Sequence, residues 1–264
     1  MANITVQFLG TGDAFSKKYG NTSALVFVEN KGVMKKLLID CGRTTPDDLF
    51  SLGYTWSDID AIFITHLHGD HVGGLEEAGF FSRYILNRNQ HLIFPHVKIK
   101  NDLWDKVLKG TMMNGDLDRL MTFEDYFTYE AVGPEEQFFF FNDVMFSVFP
   151  TYHIKNKKSY GVIIGEKDFI IYSGDSLLNQ DLIAIGFADD CQAVFHDCAL
   201  YQKKDMVHAS LQDLLTLEPE WRENIYIMHY GDNLSDKYLE IKDAGLKIAV
   251  RGEKYHFEVG EYCP

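Results

Sequence analysis

The sequence predicts an α/β protein built as a sandwich, with two packed sheets inside and helices outside. Three observations carry this. Short apolar or alternating segments recur along the chain, and helical segments fall between them in both halves. One buried-type segment, residues 60–65, delivers its polar end directly to a dense run of histidines and aspartate, as a strand feeding a site does.

The N-terminal third opens with strands at Ile4–Leu9, Ser23–Val28 and Lys36–Ile39. Turn chemistry follows each: Gly10-Thr11-Gly12-Asp13, Glu29-Asn30-Lys31-Gly32 and Asp40-Cys41-Gly42. Thr45-Pro46-Asp47-Asp48 opens a helix, with Thr45 as the cap and Pro46 suited to the first turn. After the 60–65 strand, Gly73 to Ile85 has a helical pattern. The span from Asn87 to Phe149 is the least regular, with a short strand at His91–Phe94, a helix over Asp102–Met112 and the run Phe138–Phe141. Four adjacent phenylalanines cannot all face one core, so some are expected under a loop or at a subunit contact. Later strands fall at Val144–Phe149, Gly161–Ile164, Phe169–Tyr172, Ala193–Phe195 and Ile225–Met228.

The 264 residues contain no repeat, low-complexity tract or Pro/Gly/Ser-rich linker, so one domain over 1–264 is expected. With 46% hydrophobic and 24% charged residues the chain is globular by composition. A net charge of −14 disfavours a general grip on nucleic acid or on an anionic membrane. No apolar run reaches the roughly 18 residues of a spanning helix, and MANITVQFLGTG lacks a signal-peptide layout, so a cytoplasmic location is expected. Cys41, Cys191, Cys198 and Cys263 form no C-x-x-C pair and read as reduced, packed thiols.

The chemistry is concentrated in Thr65-His66-Leu67-His68-Gly69-Asp70-His71, an H-x-H-x-D-H array on a turn entering a helix. Alternate residues of extended backbone point the same way, so His66 and His68 can serve one metal ion. The turn then lets Asp70 and His71 face a second. Four residues do not close two coordination shells. His153 after the Val144–Phe149 strand, Asp175 within Tyr172-Ser173-Gly174-Asp175-Ser176 and His229 after Ile225–Met228 stand where βα loops would bring them beside the array.

These residues, with Phe8-Leu9-Gly10-Thr11-Gly12, Leu38-Ile39-Asp40-Cys41-Gly42, Ser159-Tyr160-Gly161, His196-Asp197-Cys198, His208-Ala209-Ser210 and Met228-His229-Tyr230, carry a family resemblance. The chain resembles metallo-β-lactamase fold hydrolases over nearly its whole length, in the branch of the transfer-RNA 3′-processing endonucleases. The resemblance implies an αββα four-layer sandwich. It also implies one ion held by His66, His68 and His153, a second by Asp70, His71 and His229, and Asp175 bridging both. His208 matches a histidine that the phosphodiesterase members use near the leaving group, and Asp197 stands where a carboxylate would orient it and raise its pKa.

Two divalent ions in one site lower a water's pKa and clamp a phosphate, which points to phosphodiester hydrolysis with Asp70 and His208 as catalytic groups and Asp197 behind His208. Zinc is expected, and manganese also suits a ligand set without thiolate. The transfer-RNA enzymes insert a long basic arm between the third metal histidine and the bridging aspartate. Here only residues 154–174 separate His153 from Asp175, room for a loop and two strands. Missing arm and acidic charge favour a small substrate, and the chain looks most like the phage anti-Pycsar type phosphodiesterases that open nucleoside 3′,5′-cyclic monophosphates, cyclic CMP and cyclic UMP included. That resemblance implies a homodimer. The alternative is a transfer-RNA 3′ endonuclease; a lactonase, a thioesterase or a nucleotide-sequestering module fits less well. Lys155, Lys157 and Lys158 beside His153 are candidates for steering the phosphate.

Overall fold

The computed structural model describes residues 1–115, 118–133 and 135–260. Its strands are β1 (Ala2–Gly10), β2 (Ser23–Asn30), β3 (Val33–Ile39), β4 (Ala61–Phe63), β5 (Gln90–Phe94), β6 (Phe127–Ala131), β7 (Phe138–Phe141), β8 (Val144–Pro150), β9 (Tyr160–Ile164), β10 (Ile170–Tyr172), β11 (Ala193–Asp197), β12 (Ile225–Met228), β13 (Lys247–Ile248) and β14 (Lys254–Val259). They form two seven-stranded sheets, in the orders β14-β1-β2-β3-β4-β5-β6 and β13-β12-β11-β10-β9-β8-β7. Each sheet has antiparallel strands at one end and parallel ones at the other: β3 to β6 in the first and β10 to β13 in the second.

Period-two patterning sorts the side chains into layers. On β1 and β2, Ile4, Val6, Phe8, Ala24, Val26 and Val28 face the second sheet. Leu9, Leu25 and Phe27 face the helices outside. A separate apolar layer covers the outer face of the second sheet, built on Ile171, Val194, Ile225 and Ile227. The result is the expected αββα sandwich. Between the sheets Phe139 stacks on Phe63 at 5.4 Å and on Phe146 at 5.1 Å; burying such a ring contributes about 1.5–3 kcal/mol.

Several elements differ from expectation. The first helix, Thr45–Ser51, is preceded by Thr44 in the cap position, and the Thr44 hydroxyl donates to Asp48 Oδ2 at 2.8 Å instead of capping an N–H. The helix expected over Asp102–Met112 begins earlier, at Val97, because the His96 ring accepts from the Lys98 N–H at 2.9 Å and caps it. It then widens into a π turn over Trp104–Leu108 before ending at Met112. Of the four phenylalanines on β7, Phe139 and Phe141 are buried while Phe138 and Phe140 face outward on the last strand of the sheet. Cys41, Cys191 and Cys198 are buried free thiols, and Cys263 lies outside the described residues. No helix among the described residues is long and apolar enough to cross a membrane.

Candidate metal centre

The site lies where the parallel strands of both sheets end, the position at which α/β sheets place ligands. His66 and His68 leave β4 on extended backbone, and His68 is the cap residue of the short helix Gly69–Val72 that carries Asp70 and His71. His153 follows β8, Asp175 follows β10, Asp197 ends β11, and His229 follows β12. His208 comes from the loop after β11. Two local devices aim these side chains. His229 has φ of 59°, a left-handed conformation uncommon for histidine that turns the chain off β12. Gly174 has φ of 59°, and a Cβ there would stand 2.6 Å from the Tyr160 carbonyl oxygen, so only glycine permits the turn that presents Asp175.

Every residue expected at the site converges there. His66, His68, His153 and Asp175 form one cluster, and Asp70, His71, Asp175 and His229 a second. Asp175, Asp197, His208 and His229 form a third, with potential ligand atoms inside each cluster no more than 4.8 Å apart. Asp175 belongs to all three.

Hydrogen bonds behind the imidazoles fix which nitrogen faces inward. His153 donates from Nδ1 to the Val207 carbonyl at 2.9 Å, leaving Nε2 bare. Thr65 spends its hydroxyl proton on Asp40 at 2.7 Å, so at 3.1 Å it accepts from His66 Nδ1. Both Nε2 lone pairs then face His68 Nδ1, at 3.0 Å from His66 and 3.1 Å from His153. Three imidazole nitrogens converging this way have too few protons to satisfy one another, and a cation resolves the arrangement. In the second cluster His71 donates from Nδ1 to Asp40 at 2.7 Å, while its buried Nε2 has no hydrogen-bond partner and stands 3.3 Å from Asp70 and from Asp175. An orphaned, inward-facing nitrogen between two carboxylates fits a divalent ion.

Electrostatics separate the two halves. Burial lowers the pKa of His66 and His153, and burial with His153 and Lys157 brings His68 down to about 4, so the first cluster is neutral imidazole. Burial also opposes charge on His71 and His229, but Asp175 prevails in both, aided by Asp40 at His71 and Asp197 at His229, and their pKa values rise well above 6.5. Asp70 would be raised by burial, yet the hydrogen bond from His229 and the adjacent His71 imidazole hold it below the usual carboxylate range.

Asp40 is the participant that the sequence did not assign. Fully buried with φ of 60°, it accepts from the Thr65 N–H at 2.8 Å, the Thr65 hydroxyl and His71. Its neighbours complete the clamp: Cys41 N–H donates to the His71 carbonyl at 2.8 Å, and a Cβ on Gly42 would stand 2.0 Å from the Asp70 carbonyl oxygen. The Asp-Cys-Gly turn thus holds the His/Asp array in place.

Fold and paired clusters together define a metallo-β-lactamase fold hydrolase with a binuclear-type metal site. A solved diphosphatase of the PhnP family superposes with a TM-score of 0.75 at 20% identity, covering 98% of this chain and 100% of that one. Residues 4–255 match the family described as Anti-Pycsar protein Apyc1. An Anti-Pycsar protein Apyc1 of Bacillus phage BSP38 is 34% identical over 258 residues, 95% of this chain and 97% of that protein. One of Paenibacillus harenae is 36% identical over 233 residues, 88% and 92% of the two chains. The chain belongs to the Anti-Pycsar Apyc1 family.

Proposed function

We propose that this protein hydrolyses nucleoside 3′,5′-cyclic monophosphates, cyclic CMP and cyclic UMP among them, to linear monophosphates, and so removes the signal of a cyclic-nucleotide anti-phage defence. The observation that carries the reading is a histidine held by a buried carboxylate beside two metal-type clusters: His208 Nδ1 donates to Asp197 at 2.6 Å, and the His208 ring stacks on His229 and meets His153 edge-on. The thiolate released from a thioester needs no such proton donor, whereas the alkoxide departing from a phosphodiester does.

His66, His68 and His153 would hold one ion and Asp70, His71 and His229 the other, with Asp175 shared between the two clusters. The pair, zinc in our reading and manganese as the substitute, supplies Lewis acidity toward water and phosphate. Asp70 also accepts a hydrogen bond from the attacking water. As water adds to phosphorus it releases one proton to solvent, the P–O3′ bond breaks, and His208 gives its Nε2 proton to the departing O3′. Burial works against a charged His208, but Asp197 prevails and keeps its pKa above 6.5, as an acid requires.

Residues 154–174 are a loop followed by β9 and β10, which leaves no RNA-gripping arm at that position and supports a small substrate over a transfer RNA. We propose further that the protein works as a homodimer, with β7 or the 87–149 region in contact. Incubation with manganese or zinc and a panel of cyclic mononucleotides, followed by chromatography of the products, tests the reading. Linear monophosphates are expected, and their absence from every reaction overturns it.

A further inference from the structure

Metals and a general acid account for the phosphate but not for the base. Beside the His66, His68 and His153 cluster lies a cavity of about 440 Å³, large enough for a nucleoside. The opposite flank, next to His208 and His229, offers only a recess of about 30 Å³, the room of a single water. A nucleoside attached to a phosphate at the metal centre therefore has one side to enter.

The far wall of that cavity is the helical run 97–112, within which the π turn at Trp104–Leu108 contributes Lys106 and Val107. Single π turns inside helices recur at functional sites, because the extra residue re-aims the side chains around it. Leu67, Ile99 and Val107 give the cavity apolar surface for a flat ring. Beside them Asp102 holds two ammonium groups, Lys98 at 3.0 Å through Oδ2 and Lys106 at 2.8 Å through Oδ1. Each carboxylate oxygen keeps a free lone pair and each ammonium keeps further N–H groups, so the cluster displays an acceptor between two donors.

We propose that this cavity seats the nucleobase and that Asp102, flanked by Lys98 and Lys106, reads its hydrogen-bonding edge. The inference rests on the cyclic-nucleotide reading above. Cytosine offers an amino donor to the carboxylate and the N3 acceptor to an ammonium. Uracil offers N3–H to the carboxylate and O4 to an ammonium. One fixed cluster thus serves both pyrimidines.

The test compares kcat/KM of the wild type, Asp102→Ala, Asp102→Asn and Lys106→Ala on cyclic CMP, cyclic UMP and the base-free ribose 3′,5′-cyclic phosphate, with thermal melting to confirm folding. Asp102→Ala is expected to lose about tenfold or more on cyclic CMP relative to the base-free substrate, the discrimination carried by a good base contact. Asp102→Asn, which replaces one acceptor oxygen by a donor, and Lys106→Ala, which removes a donor, are likewise expected to lower kcat/KM on both nucleotides relative to the base-free substrate. Equal losses on all three substrates, or unchanged ratios in every variant, overturn the inference. A wild type inactive on both nucleotides instead overturns the cyclic-nucleotide reading itself.

Discussion

His208 and Asp197 meet at 2.6 Å, and the same Asp197 carboxylate stands 3.4 Å from His229 Nδ1 through its other oxygen while accepting the Ser176 N–H at 3.0 Å. One buried carboxylate therefore orients both a proposed metal ligand and the proposed proton donor. Removing His208 tests the second role alone. His208→Ala is expected to lower phosphodiester turnover by roughly 10²–10⁴-fold with two ions still bound per chain, measured by steady-state kinetics and elemental analysis. Loss of metal in that variant would instead make His208 a ligand.

Asp40 lies outside the three ligand clusters, yet it fixes the His71 ring and the Thr65 backbone. Asp40→Asn is expected to weaken metal binding by about 10–100-fold, the usual effect of losing a carboxylate behind a ligating histidine. Asp40→Ala strands buried donors on Thr65 and His71 and costs about 1–3 kcal/mol for each unsatisfied group. Chelator competition and urea unfolding measure the two effects; full affinity in both variants would show that the Asp-Cys-Gly turn does not support the site.

The loop after Gly12 is pinned from across the site mouth by Asp232, which accepts from the Ser16 hydroxyl at 2.7 Å and the Lys17 and Lys18 N–H groups at 3.0 and 3.1 Å. The Ser16 hydrogen bond above all, with the two amides, lowers its pKa below 3.8 despite some burial. The folded value lies under the unfolded one, so the contribution to stability is complete above pH 3.8 and is lost as pH falls through the folded value. In metal-free protein the Lys17 and Lys18 amide resonances should titrate with a midpoint below 3.8, and in Asp232→Asn this titration disappears. A midpoint at or above 3.8 would contradict the assignment.

Alternation along β7 separates packing from association. Phe139 is 2% exposed between Phe63 and Phe146, and Phe139→Ala is expected to cost about 3–5 kcal/mol in urea unfolding. Phe138 and Phe140, 36% and 43% exposed, should together cost less than about 1 kcal/mol when changed to serine. Light scattering on that double variant tests the proposed dimer contact: a shift from dimer to monomer places it on β7, and an unchanged dimer moves it elsewhere.

The metal-type array was legible because it is local: its four side chains fall within six residues, with alternation aiming His66 and His68 and the turn into a helix aiming Asp70 and His71. His153, Asp175 and His229 were legible as polar residues ending apolar runs. Asp40 was not, since its partners Thr65 and His71 lie far along the chain and a lone aspartate in a turn announces nothing about them. Strand β6 escaped notice because only Phe127 of its five residues is buried, so no alternation appears. β14 does alternate, with Tyr255, Phe257 and Val259 on the inter-sheet core and Gly252 and Gly260 at its flanks, but its outward positions are charged or polar and the segment is only half buried. The helix start at Val97 hinged on a histidine cap, which propensity does not suggest.

The pairing of β14 with β1 sets the order in which this molecule can be made. Thr5 lies opposite His256, so a ribosome must translate 251 further positions before the outer edge of the first sheet is covered. Until then β1 presents unpaired backbone to its surroundings, an invitation to neighbouring nascent chains. Asp175 and His229 also emerge late, so the nascent N-terminal half lacks part of each proposed ion site. Complete ion sites therefore await translation of Asp175 for the first cluster and of His229 for the second.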